Sequence, residues 1–366
     1  MSRKVELALA DVAGRLMALR PQVRQVARFL ADRPPLPPPP PPDGARVRVG
    51  VVQLEARLHR SPLSYAEQMH AATAELVRDG AQLIVFPEDT GSYPLFGLLP
   101  GLAWLVGRGK PDQAGAAVQS AEAPVLFLMR LMTRAARRVH GAGFAGLAAR
   151  MGVHILAGST LAMDDKGRVR KEAHLYDPQG HLVLAQRKTH LFPTEAAWGM
   201  TPGDEIAVAR TPLGCIAAPV CMNHTYWEPV RIAWLRGAEI LVDPAADAAR
   251  FNWSLQARGV WSRVQESPSY GIHAMMVGTL LGVTFGGRSG VYAPLALTPK
   301  GDGILAEAHV PDAPDLFCAD LDLDALRPLR LERLGRLNPD LYGRYLPRLY
   351  DGASWRASQE SERYDD

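Results

Sequence analysis

At 366 residues, with 47% hydrophobic and 22% charged side chains, the chain has material for one large domain or two ordinary ones and for a sizeable core. A net charge of +3 is too small to argue for a nucleic-acid partner, and three cysteines without C-x-x-C or Cys/His metal spacing make neither a disulfide framework nor a zinc site. No apolar run approaches the ~18 residues of a membrane span. Charges at Glu6, Asp11, Arg15, Arg20 and Arg24 interrupt any signal-peptide core, so the sequence reads as cytoplasmic, in a reducing compartment.

Residues 1–33 carry seven Arg/Lys against three Asp/Glu, which leaves the rest of the chain close to neutral. Apolar residues at Leu9, Val12, Leu16, Leu19, Val23, Val26 and Leu30 step by three and four, predicting an amphipathic helical arm, kinked or divided at Pro21. Its expected place is on its own domain or on a neighbouring subunit, with docking to a partner or to a membrane surface as the alternative. In the linker, residues 34–45, Pro34 and Pro35 are followed by six prolines from Pro37 to Pro42. They impose extended polyproline II at about 3.1 Å per residue, a stiff spacer.

The main domain is expected over residues 46–330. Val47–Gln53 predicts a strand, Ser64–Asp79 a helix stopped by Gly80, and Ala81–Glu88 a second, buried strand; strand–helix–strand at this spacing indicates an α/β layered fold. Residues 95–150 read as a mainly helical insertion, either a packed layer or a lid over a pocket. Gly152–Gly158 predicts a strand, and His174–Tyr176 with Leu182–Gln186 a hairpin around Asp177-Pro178-Gln179-Gly180. Further along, Trp227–Arg236 and Phe251–Gln265 read as helices. Glu239–Val242, Ala274–Val277, Gly290–Tyr292 and Ile304–Ala308 read as strands. The tail from Pro328, residues 331–366 in the domain division, is expected to be polar and irregular.

Three segments carry chemistry. Ile84-Val85-Phe86-Pro87-Glu88 ends an apolar strand in a carboxylate, whose desolvation raises its pKa and suits it to acid/base work, although a loop or capping carboxylate would look the same. Gln186-Arg187-Lys188-Thr189-His190-Leu191-Phe192-Pro193, with Glu195 after it, places a lysine between a strand and a proline turn, where surface decoration is the simpler reading. Ala218-Pro219-Val220-Cys221-Met222-Asn223-His224 puts a thiol at a strand-to-helix elbow, where the helix dipole favours thiolate, though free cysteines more often pack as small hydrophobes. Together they supply what a thiol nucleophile needs: a base, and a positive group for the oxyanion, each from the end of a strand.

In order and flanking detail these blocks resemble the nitrilase superfamily of carbon–nitrogen hydrolases. The match extends to Glu228 and Arg231, Arg236-Gly237-Ala238-Glu239, Arg263-Val264-Gln265-Glu266, Gly287-Arg288-Ser289 and Thr298-Pro299-Lys300-Gly301. The resemblance implies an α-β-β-α four-layer sandwich, a homodimer or higher oligomer, and no metal or organic cofactor. It makes Glu88, Lys188, Cys221 and Glu195 catalytic, with Lys188 and the Met222 N–H holding the oxyanion. The implied reaction hydrolyses a non-peptide C–N bond of a small molecule, amide to acid plus ammonia or amine, through a thioester on Cys221. Tyr93, Asn223 and His224 are expected to face the substrate. Met222-Asn223 departs from the Trp-Glu that commonly follows the nucleophile in true nitrilases, which favours amide or N-carbamoyl cleavage over nitrile hydrolysis. An acyltransferase and a non-catalytic scaffold on the same fold are the remaining alternatives.

Overall fold

The computed structural model describes residues 23–92, 122–280 and 282–349. The chain divides into two compact units, Met1–Leu326 and Arg327–Asp366. In chain order the first unit holds α1 (23–32), β1 (Arg46–Glu55), α2 (Pro62–Arg78), β2 (Leu83–Val85), α3 (Glu122–Met151), β3 (His154–Met163), β4 (Val169–Tyr176), β5 (Leu182–Arg187) and α4 (Pro193–Ala197). There follow β6 (Ala209–Thr211), β7 (Gly214–Ala217), α5 (Trp227–Leu235), β8 (Ile240–Ala245), α6 (Trp253–Gln256), α7 (Val260–Glu266), β9 (Tyr270–Leu280), β10 (Val283–Phe285), β11 (Gly290–Tyr292), β12 (Ile304–Glu307) and β13 (Asp315–Asp322). α8 (Leu323–Gly335) spans the boundary between the units, and α9 (Pro339–Leu349) belongs to the second.

The strand order is β5-β4-β3-β2-β1-β9-β8-β7-β6, with β13 antiparallel to β1, and β11 antiparallel to β9 and β12. The two halves join through a short parallel pairing, Leu54 opposite Met276 and Glu55 opposite Val277. Side-chain alternation then sorts the apolar residues into layers. Val47, Val49 and Val51 of β1 share one core with Leu83, Leu156, Ile216, Ile240, Val242 and Ile272, the layer between the two half-sheets. Val52, Ile84 and Ile155 point the other way, onto α2 and α3. Ala217 and Leu241 point away from the inter-sheet core onto α5 and α7. Helix, sheet, sheet, helix is the four-layer α-β-β-α sandwich expected from the sequence.

Local chemistry sets the element ends. Ser61 caps α2 by accepting from Ser64 N at 3.1 Å, with Pro62 in the first turn. The helix expected over Phe251–Gln265 is two helices, α6 and α7, parted at Gly259, whose backbone (φ −83°, ψ −136°) leaves the helical region. The tail, expected to be irregular, contains α8 and α9 among its described residues. Pro328 lies inside α8, where it withholds the N–H that would bond to Asp324 O.

Residues 122–151 form one helix, and Phe144, Leu147, Ala148 and Met151 bury it against the sheet as a packed layer. The stretch 95–121, where a lid was the other reading, lies outside the described residues. Val26 and Leu30 of α1 join the same core, and Gln82 Nε2 donates to Pro40 O at 2.7 Å, so the proline segment runs along the domain surface. No described helix is long and apolar enough to cross a membrane.

Candidate active site

Glu88 follows β2 in a turn that the neighbouring strand builds. Phe86 N donates to Leu156 O at 2.9 Å, Thr90 Oγ1 to Pro87 O at 2.7 Å, and Asp89 N to Ser159 Oγ at 2.9 Å. Asp89 takes φ 61°, a left-handed conformation that non-glycine residues rarely hold without such support. Opposite it, Gly158 sits at φ 64°, and a Cβ there would lie 1.8 Å from Pro87 O, so only glycine lets the turn close. Glu88 is 1% exposed.

Lys188 leaves the end of β5. Its backbone N–H donates to Lys171 O at 2.9 Å and its carbonyl accepts from Gly203 N at 2.7 Å. Its ammonium, fully enclosed, stands 2.8 Å from Glu88 Oε1 and 2.9 Å from Glu195 Oε2. Glu195 is fixed in turn: its Oε2 accepts from Phe192 N at 2.8 Å, at the proline-led start of α4. Burial pushes the Glu195 carboxyl up, but Lys171 and Lys188 overcome it and hold it at about 2. Burial alone would lower the Lys188 ammonium; Glu88, Cys221 and Glu195 outweigh it and raise it.

Cys221 opens a single 3₁₀ turn, Cys221–Thr225, after β7, with φ 48°. A residue held in this sparsely populated region at a strand end throws its side chain out of the sheet. The thiol is half-buried and its Sγ lies 3.8 Å from Asp247 Oδ1. The helix dipole, expected to favour thiolate, does not lower this thiol. Burial pushes the thiol well above its ordinary value, Glu88 adds to that, and Lys188 opposes it. One 3₁₀ turn supplies too little aligned backbone to outweigh desolvation and an adjacent carboxylate.

The cysteine turn is tied to the lysine segment. Asn223 Oδ1 accepts from His190 N at 2.9 Å, and the His190 ring stacks on Tyr226 with centroids 4.2 Å apart. From below, Arg263 donates to His224 O at 3.0 Å while its guanidinium lies over Trp227 at 3.7 Å. Asn223 and His224, expected on the substrate side, are completely enclosed, and their side chains contact protein: Asn223 Oδ1 meets His190 N, and the His224 ring meets Val242 O and Asp243. Met222 occupies the second position of the turn, where helix N–H groups lack intrahelical acceptors. Tyr93 lies outside the described residues.

Sequence reasoning missed a second enclosed lysine. Lys171 Nζ reaches Asp89 Oδ2 at 2.8 Å, Glu88 Oε1 at 3.2 Å and Glu195 Oε1 still more closely. Burial raises Asp89 to about 6 against the pull of Lys171, with Glu88 and Glu195 adding to the rise. A charged run, Arg170-Lys171-Glu172, reads as a solvated strand face; it is buried because β4 lies inside the sheet, between β3 and β5, with both of its faces covered. Asp243, which accepts from His273 Nδ1 at 2.8 Å, and Asp247 were also missed, both beyond the expected end of β8. Among the described residues no group of three or more His, Cys, Asp or Glu is arranged to hold a metal ion.

Residues 48–330 match the family model described as carbon-nitrogen hydrolase. Among curated proteins, the chain is 29% identical over 193 residues to the probable hydrolase YhcX of Bacillus subtilis, covering 51% of this chain and 37% of that protein. It is 29% identical over 211 residues to a bifunctional nitrilase/nitrile hydratase of Nicotiana tabacum, covering 55% and 54%. The chain thus spans about a third to a half of the length of these curated relatives. Among solved structures it is similar to a mutant of the amidase from Nesterenkonia sp. AN1 that shows covalent addition of the acetamide moiety of fluoroacetamide at the active-site cysteine: TM-score 0.61, 21% identity, 83% of this chain and 98% of that one. A butyramide complex of another mutant of that amidase gives TM-score 0.58 at 23% identity, covering 81% and 99%.

Proposed function

This chain belongs to the carbon–nitrogen hydrolase family, and on that premise we propose that it hydrolyses a small linear amide to the acid and ammonia or amine, with Cys221 as nucleophile. The observation that carries the reading is the Lys188 ammonium between Glu88 and Glu195, at 2.8 and 2.9 Å, in electrostatic reach of the thiol. That arrangement supplies a base and an oxyanion partner beside one sulfur.

Because the thiol is held protonated at rest, proton removal accompanies attack. Glu88 takes the Cys221 proton as Sγ bonds to the amide carbon. The oxyanion is received by Lys188 and the Met222 N–H. Glu88 returns the proton to the leaving nitrogen, and the C–N bond breaks to leave a thioester. Water, deprotonated by Glu88, then releases the acid and the thiol. Glu195 and Lys171 keep Lys188 and Glu88 in place, and Asn223 with His224 fix the turn that presents the sulfur. The cysteine adduct in the Nesterenkonia amidase supports a covalent route.

The test is ammonia release from a panel of amides, N-carbamoyl amines and nitriles, read with intact mass. Turnover of amides, with acyl trapped on wild type and not on Cys221→Ala, is the expected result. Turnover of carbamoyl compounds or nitriles alone reassigns the substrate. Failure of every compound to acylate Cys221 removes the enzymatic reading.

A further inference from the structure

Asp247 is the carboxylate closest to the chemistry that the proposed mechanism leaves idle. Its Oδ1 is 3.8 Å from the nucleophilic sulfur, and the residue is exposed. Burial raises its carboxyl, His273 opposes that rise, and Asp243 and Glu88 add to it.

The backbone that carries this side chain is held in place. Gly286 N donates to Asp247 O at 3.1 Å, closing an isolated antiparallel bridge. The following residues are held by Asp312, whose Oδ1 accepts from Gly287 N at 2.7 Å and from Phe251 N at 3.0 Å. A Cβ on Gly286 would lie 2.5 Å from Ala249 O and 3.0 Å from Arg250 Cα, so the strand-end segment is seated without slack.

The charge around the sulfur is uneven. Glu88, Asp247 and Asp243 all act on it as anions, against Lys188 as the opposing cation. Glu88 and Lys188 engage each other, and Asp243 engages His273, at 2.8 Å in both cases. Asp247 instead lies against the sulfur itself, its Oδ1 3.8 Å from Sγ. An anionic substrate must bring its charge against it, whereas a cation gains a charge-assisted hydrogen bond there. An ammonium on the α carbon stands two bonds from the carbonyl carbon that sulfur attacks, within the span of a carboxylate placed beside that sulfur.

Resting on the amidase reading above, we propose that Asp247 is a specificity-determining residue: it receives a cationic N–H group next to the scissile carbonyl, so that the site prefers α-amino amides to neutral amides and rejects anionic ones.

The experiment separates this from the amidase reading by probing the thiol without catalysis. Cys221 is modified with 2-aminoethyl, methyl and 2-sulfonatoethyl methanethiosulfonate, a cationic, a neutral and an anionic reagent. In each case sulfur displaces methanesulfinate to form a mixed disulfide, and peptide mass reports the rate at Cys221. The wild-type order is cationic, neutral, anionic, with a spread of about tenfold to a hundredfold between the ends. Asp247→Asn collapses the spread, while the neutral reagent serves as the internal control for an intact site. An equal rate for all three reagents, or a spread that survives in Asp247→Asn, overturns the proposal. In parallel, kcat/KM is measured for glycinamide, propionamide and malonamate. The expected order is glycinamide, propionamide, malonamate, lost in Asp247→Asn. If propionamide is hydrolysed and glycinamide is no better, the inference falls and the amidase reading stands. If no amide is hydrolysed while the reagent spread follows Asp247, the amidase reading falls and the charge selection stands.

Discussion

Lys171 Nζ stands 3.2 Å from Glu88 Oε1, on the same oxygen that Lys188 reaches at 2.8 Å, so one buried carboxylate is shared by two ammonium groups. The enclosed cluster holds three carboxylates, Glu88, Asp89 and Glu195, against these two cations. Lys171→Met leaves three carboxylates around one ammonium, and one of them takes up a proton. Losing a nearby cation makes the carboxylate cluster easier to protonate, so its fully ionised form is lost at higher pH. We expect kcat/KM for an amide substrate to fall about tenfold to a hundredfold and its acidic limb to move to higher pH. A pH profile with the limb unmoved would reduce Lys171 to a packing role.

Glu88→Gln gives two effects of opposite sign. Burial and then Glu88 raise the Cys221 thiol, and Lys188 opposes them. Removing the Glu88 charge therefore lowers the thiol pKa and leaves Lys188 free to stabilise thiolate. Alkylation of Cys221 by iodoacetamide at neutral pH should become faster than in wild type. Amide hydrolysis should drop by about 10²–10⁴ because the proton relay is gone. A variant slower in both assays would place Glu88 in support of the fold instead of the relay.

The two outlying carboxylates couple stability to pH in opposite directions. Glu195 is depressed to about 2 from 4.5, so its contribution is present above 4.5 and is lost as pH falls towards 2. Asp89 is raised to about 6 from 3.8, so its contribution is present below 3.8 and is lost as pH rises through 6. Asp89→Asn keeps the uncharged form at every pH. Its Tm relative to wild type should therefore climb between pH 3.8 and about 6 and then level off. A flat difference across that window would mean that Lys171 fully compensates the buried charge.

What could be read in advance followed strand ends. Glu88 and Cys221 each close an apolar strand, and Lys188 closes β5 against a proline turn; the strand–helix–strand run from Val47 to Glu88 announced an α/β layered fold. Lys171 was hidden because its strand looks solvated until β3 and β5 flank it, a fact of topology and not of local composition. β13 was hidden for a related reason: Asp315, Asp320 and Asp322 mask the inward set Phe317, Ala319 and Leu321 that pairs onto β1. Asp247 could not be placed from sequence because β8 runs on to Ala245, past its expected end, and carries the following residues to the sulfur.

Gly158 tests whether the Glu88 turn depends on backbone alone. At φ 64°, with Pro87 O 1.8 Å from where a Cβ would stand, Gly158→Ala adds left-handed strain and a backbone clash at once. The clash cannot be relieved by a rotamer, since the opposing atom is the carbonyl that also accepts from Thr90 Oγ1 at 2.7 Å. Relief requires the Pro87–Glu88 peptide to move, which carries the Glu88 carboxylate off Lys188. Gly167→Ala is the matched control, because Gly167 has φ 72° with nothing within 4 Å of its Cβ position. The control should cost about 1 kcal/mol and leave kcat/KM near wild type. Gly158→Ala should cost several times more in thermal or denaturant unfolding and lose most of its kcat/KM. Equal losses in the two variants would show that φ strain, and not the approach of Pro87 O, decides the glycine.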